Sequence, residues 1–139
     1  MSGGEVGIEG YASLWARADL NRDVVVRGAF TRALERTGPG AISMLYQHET
    51  RALAGQWDEV REDDTGLFVR GRIMPVTPEG RMAAALTRAG VLSGLSIGFR
   101  TLRARRDGPL RVLSEIDLWE VSLVVFPMEP KARYSMVRQ

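Results

Sequence analysis

The chain has 139 residues, 45 % of them hydrophobic and 26 % charged, which bounds it to a single globular domain of ordinary soluble composition. The formal net charge of +2, from 19 basic and 17 acidic residues, is too small to argue by itself for a nucleic-acid partner. There is no cysteine and only one histidine, His48, so disulfides and a thiol nucleophile are excluded and neither a metal nor a cofactor is expected.

No apolar run approaches the roughly 18 residues of a membrane-spanning helix. The start, Met1 to Gly10, carries Glu5 and Glu9 and lacks the basic opening of a signal peptide, so a cytoplasmic location is expected. Residues 1–7 are glycine-rich and are expected to be loose. Ile8 to Trp15 reads as a first strand, and Val24-Val25-Val26 as a short strand or extended lead-in. From Gly28 to Arg36 a short helix is expected, with Phe30, Ala33 and Leu34 on one face and Gly38-Pro39-Gly40 stopping it. Ala41 to His48 alternates, which puts Ile42, Met44, Tyr46 and His48 on one face of a strand. Leu53 to Val60 and Leu67 to Met74 form a hairpin about the turn cluster Glu62 to Gly66. The next helix is the best marked. Thr77 suits the N-cap and Pro78 the first turn, Met82, Ala85, Leu86 and Ala89 form its apolar stripe, and Gly90 ends it.

Gly90 to Arg100 follows as a strand. Alternation puts Ser93 with Leu95, Ile97 and Phe99, as a core hydroxyl, and sets Ser96 between Gly94 and Gly98 on the opposite face. Glycines beside a hydroxyl either leave bare backbone open to a bound peptide or mark a crowded neighbour. Arg103 to Pro109 reads as a solvated basic turn. Val112 to Phe126 is long enough to need a bend or bulge, and Pro127 and Pro130 end it. Six or seven strands and two helices, joined by hairpins without regular βαβ alternation, predict an α+β fold: a mostly antiparallel, barrel-like domain.

Serine becomes a nucleophile when a neighbour takes its proton, and His48 is the sole imidazole available. A third group then orients the ring, and Glu120 is a carboxylate in the otherwise apolar run Leu118 to Val125. A buried carboxylate needs a partner, and with eighteen arginines in the chain a structural ion pair is the competing explanation.

The ordered blocks Gln47-His48-Glu49, then Gly94-Leu95-Ser96-Ile97-Gly98-Phe99, then Trp119-Glu120-Val121-Ser122-Leu123-Val124 resemble the tailed-phage prohead maturation proteases of the HK97 type. Gly10-Tyr11-Ala12-Ser13 and Arg27-Gly28-Ala29-Phe30 are similar to that family too. The match runs from about Gly10 to Arg133, which implies a protease domain over 10–133, a flexible N-terminus over 1–9 and a C-terminal tail over 134–139.

The resemblance implies a serine endopeptidase related in fold to the herpesvirus assembly proteases, with Ser96 as nucleophile, His48 as base and Glu120 as orienter. It implies the major capsid protein and its scaffold segment, with other head proteins, as substrates. The implied setting is the assembling procapsid in the cytoplasm of a bacterial host, for a lytic phage, a prophage or a gene-transfer particle. A homo-oligomer is compatible with it. The herpesvirus enzymes place two arginines shortly after their third catalytic residue, whereas Phe126-Pro127-Met128-Glu129 stands here. The expected oxyanion donors are therefore the backbone N–H groups of Ile97 or Gly98. Many members also continue further at the C-terminus, so a targeting or self-processing tail is expected to be missing. The alternative is an inactive head-assembly or scaffold protein that keeps the fold. A nucleic-acid binder using Arg100, Arg103, Arg105 and Arg106 would lack interleaved aromatics.

Overall fold

A computed structural model describes residues 4–137. It contains eight strands, β1 (Val6–Leu14), β2 (Asp23–Val25), β3 (Ser43–Tyr46), β4 (Leu53–Glu62), β5 (Gly66–Ile73), β6 (Gly94–Asp107), β7 (Leu110–Val124) and β8 (Tyr134–Met136), and two helices, α1 (Thr31–Arg36) and α2 (Pro78–Arg88). The strands form one sheet in the order β2-β7-β3-β4-β5-β1-β8, and β6 pairs with β7. Only β2 and β3 run parallel to a neighbour, both against β7, so the sheet is mostly antiparallel as expected. It curls around a core that includes Ile8, Phe30, Met44, Trp57, Leu95, Ile116 and Leu123.

Both ends of the chain take part in this sheet. β8 pairs with β1, setting Ile8 opposite Met136 and Gly10 opposite Tyr134. This pairing, which runs outside 10–133 at both ends, satisfies backbone N–H and C=O groups along the outer edge of β1. Residues 1–3 and 138–139 of the expected N-terminus and tail lie outside the described residues. The Tyr134 hydroxyl meets the Thr87 hydroxyl of α2 at 2.7 Å, and burial pushes its pKa up to about 12.

Four local expectations are corrected. β3 ends at Tyr46, because Gln47 and His48 take positive φ values of 56° and 62°. In α2 the buried face is Gly80, Ala83, Ala84 and Thr87, and Met82 is 54 % exposed. The helix lies so close to the chain that a Cβ on Gly80 would stand 2.0 Å from the Met74 carbonyl oxygen, so the small residues face inward. Ser93 precedes β6 instead of sharing its inner face, and its hydroxyl accepts a hydrogen bond from Arg133 Nη1 at 3.2 Å. Finally, Arg103 to Asp107 belong to β6, and the turn contracts to Gly108-Pro109, where Gly108 has φ 59°. The bend expected in β7 takes the form of register shifts against β6, between Gly98 and Phe99 and on either side of Arg103.

The sheet is pinned behind β7 by Trp57, whose buried indole N–H donates to the Val121 carbonyl at 3.1 Å. Trp57→Phe keeps one aromatic ring but deletes the pyrrole half of the indole with its donor, so the Val121 carbonyl loses that hydrogen bond and a gap is left in the core. The expected cost is about 1–3 kcal/mol of stability in denaturant unfolding, with the melting temperature lowered accordingly.

Candidate active site

His48 is placed by a strained turn. Two consecutive non-glycine residues in the left-handed region are costly and persist only when their surroundings hold them. Gln47 supplies that hold on both sides. Its N–H donates to the Leu123 carbonyl at 2.9 Å, and its side-chain oxygen accepts the Val125 N–H at 3.0 Å. The turn is thereby tied to the end of β7, and the imidazole swings back along that strand. His48 Nδ1 stands 3.0 Å from Glu120 Oε2, with the two side chains 41 % and 14 % exposed.

Glu120 lies on β7 opposite Gly98 of β6 and Ser43 of β3. Its side chain occupies the space a Cβ on Gly98 would need. That Cβ would be 2.2 Å from Glu120 Cγ and 2.4 Å from Oε1. The other glycine beside Ser96 is filled as well, since a Cβ on Gly94 would stand 2.6 Å from the Val124 carbonyl oxygen and 2.8 Å from the Pro127 ring. The crowded-neighbour explanation of the glycines is therefore the one the structure supports. Ser122, two residues beyond Glu120 and on the same face, donates its hydroxyl hydrogen bond to Glu120 Oε2. In the sequence, the one signal for Ser122 is its period-two spacing from Glu120. Among the described residues no arginine pairs with Glu120, and a bidentate ion pair joins the buried Asp23 to the half-exposed Arg111, at 2.9 and 3.0 Å.

Ser96 pairs in register with Ser122, so its side chain shares a face with Glu120 and the Gly98 gap. Ser96 and His48 line the same cleft, of about 180 Å³, together with Leu95, Ile97 and Phe99 of β6 and Ala12 and Leu14 of β1. They also line a second, more open hollow with Gln47, Val124, Phe126 and Met128. Among the hydrogen bonds of the described residues, none joins Ser96 to His48. The cleft lies where the curled sheet fails to close. Residues 132–134 bridge the seam at one end, the Ala132 carbonyl accepting the Leu95 N–H at 2.9 Å and Arg133 pairing with Gly94. Beyond that point β6 pairs with no strand but β7 among the described residues. Because N–H groups two residues apart point to the same side of a strand, that of Ile97 turns toward the open seam and that of Gly98 toward β7. Arg17 reaches the cleft from the β1–β2 turn and pairs with Glu129 at 3.1 Å. Asp19 lines it too; burial pushes its carboxyl above the usual range, against the backbone N–H groups of Asp23 and Asn21 that it accepts.

This curled sheet is the fold of the herpesvirus and phage assembly proteases. The structure is similar to the capsid assembly protease of bacteriophage T4 with a TM-score of 0.69, at 16 % identity over 85 % of this chain and 80 % of that one. It is similar to KSHV protease, solved with a hexapeptide phosphonate inhibitor, with a TM-score of 0.68, at 14 % identity over 97 % of this chain and 66 % of that one. The chain belongs to the caudovirus prohead serine protease family, whose model matches residues 2–139. It is 34 % identical over 136 residues to the prohead protease of Enterobacteria phage HK97, covering 93 % of this chain and 59 % of that relative's length.

The crowding at Gly98 can be tested without any substrate. Gly98→Ala is expected to drive Glu120 away from His48, at a cost of about 1–3 kcal/mol for the overpacked methyl. Because His48 is the sole histidine, its ring resonances report the displacement directly. Unchanged ring resonances in a folded Gly98→Ala variant would show that the carboxylate does not need that space.

Proposed function

We propose that the chain is a serine endopeptidase that cleaves the scaffold segment of its capsid protein, and other head proteins, inside the assembling shell; its membership of the prohead serine protease family supports the reaction class. The observation that carries this reading is the contact of His48 with Glu120 at 3.0 Å, with His48 and Ser96 lining one cleft. Ser96 Oγ is the nucleophile. His48 Nε2 takes its proton as Oγ attacks the peptide carbonyl, and Glu120 holds the ring through Nδ1 and stabilises the imidazolium that forms. The oxyanion takes a backbone N–H, and strand alternation favours that of Ile97, which faces the open seam, over that of Gly98. Collapse of the tetrahedral intermediate releases the amine, protonated by His48, and leaves an acyl group on Ser96. Water, deprotonated by the same ring, then frees the enzyme. The domain assignment that goes with this reading is a protease unit over 10–133 whose flanking strands belong to the same sheet.

The test is co-expression with the capsid protein of the same genetic element and mass measurement of that protein. Ser96→Ala should abolish trimming, a loss on the order of 10⁴-fold or more, while the fold is kept. Ser93→Ala should leave trimming largely intact, because the Ser93 hydroxyl is engaged by Arg133 outside the cleft. Trimming that persists in Ser96→Ala would overturn the assignment. Glu120→Gln still accepts a hydrogen bond but carries no charge, and a loss of roughly 10- to 10³-fold is expected. A lower melting temperature with unchanged turnover per folded molecule would instead make Glu120 a structural residue.

A further inference from the structure

We infer that Ser122 is a positioning residue, which fixes the Glu120 carboxylate and through it the tautomer of His48; this rests on the reading of Ser96, His48 and Glu120 proposed above. Ser122 is 0 % exposed, in the apolar run Val121 to Val124. A hydroxyl placed there costs stability unless a partner satisfies it. Its partner is Glu120 Oε2, the same oxygen that faces His48 Nδ1 at 3.0 Å. An ionised carboxylate has no hydrogen to give, so both neighbours of that oxygen must donate. Nδ1 therefore carries the ring proton, and Nε2 is left with the lone pair a general base needs.

The placement of Ser122 explains why it suits this task better than a residue on a loop. It sits in the middle strand of three, opposite Ser96 of β6 and Leu45 of β3. Its backbone is held from both sides, and its short side chain has one rotor before the hydroxyl. Glu120, by contrast, has three rotatable bonds, and it lies over Gly98, where no side chain of β6 holds its carboxylate in place. The Ser122 hydrogen bond holds Oε2 under the imidazole. The sheet register thus passes through a rigid residue to a flexible one, and from there to a ring that stands on a turn.

The test uses the full chain with ¹⁵N-labelled histidine, so that a single imidazole is observed, and turnover of the capsid protein of the same element. In the unmodified protein the neutral ring should be the Nδ1–H form. Ser122→Ala should lower kcat about tenfold, the lower end of what partners that orient a working side chain contribute at metal sites, with KM changed less than twofold. The Nε2–H form should then appear in the spectrum. Ser122→Cys, similar in shape and a weaker donor, should fall between the two in both readouts. Turnover within twofold of the unmodified protein in Ser122→Ala, with the tautomer unchanged, would overturn the inference. So would a loss of kcat matched by an equal loss of folded protein in both variants. Glu120→Gln measured in parallel separates the failures. If it loses turnover while Ser122→Ala does not, the role of Ser122 alone is refuted. If it keeps full turnover, the reading of Glu120 falls and the inference with it.

Discussion

The pairing of β6 with β7 sets everything else at the site. Side chains alternate along a strand with a period of two, so a slip of one residue would turn every side chain of β6 to the other face. In the register adopted, Gly98 faces Glu120 and Ser96 faces Ser122. The first pair makes room for a carboxylate above the sheet, and the second puts a hydroxyl on each side of the same rung. The irregularities of the hairpin begin just past Gly98, so the site occupies the regular stretch and the bends are taken up beyond it.

β7 can impose this register because it is held on its other side as well. β3 runs parallel to it from Ser43 to Tyr46, and the buried Trp57 indole reaches the carbonyl between Glu120 and Ser122. The same strand then anchors Gln47, whose two hydrogen bonds keep a left-handed turn in place under His48. One strand therefore supplies the carboxylate and Ser122, pairs with the strand that carries Ser96, and tethers the turn that carries the ring. The seam between β6 and β1 is left open on the far side, and that opening is the cleft.

How much of this could be read from the residues differs from element to element. Strands with turn chemistry at their ends, such as β4 and β5 about Glu62 to Gly66, are legible, because alternation and breakers are local properties. So are the N-cap of α2 at Thr77, whose side chain accepts the Gly80 N–H at 2.9 Å, and the irregularity of a fifteen-residue strand. The buried face of α2 is not legible, since a stripe of larger residues outranks one of glycine and alanine on hydrophobicity alone, while the close approach that favours small residues comes from tertiary packing. The end of β3 before His48 is hidden for a similar reason. Nothing local forces Gln47 and His48 into the left-handed region; contacts with β7 do. Ser122 was silent because a serine in a strand looks the same whether its hydroxyl meets water or a carboxylate.

The open rim of β6 has a consequence for the behaviour of many copies together. An edge strand with unpaired N–H and C=O groups invites the same edge of another molecule to dock against it, which is a route to aggregation. A prohead interior would confine such molecules at high local concentration. Arg100, Arg103, Arg105 and Arg106 lie along this strand and are exposed, and among the described residues Arg105 and Arg106 take part in no ion pair. Two copies meeting rim to rim would bring guanidinium groups of one against those of the other, and crowding would have to overcome that repulsion. In such a setting that repulsion would hold copies apart and leave the rim to a chain that lacks the same charge.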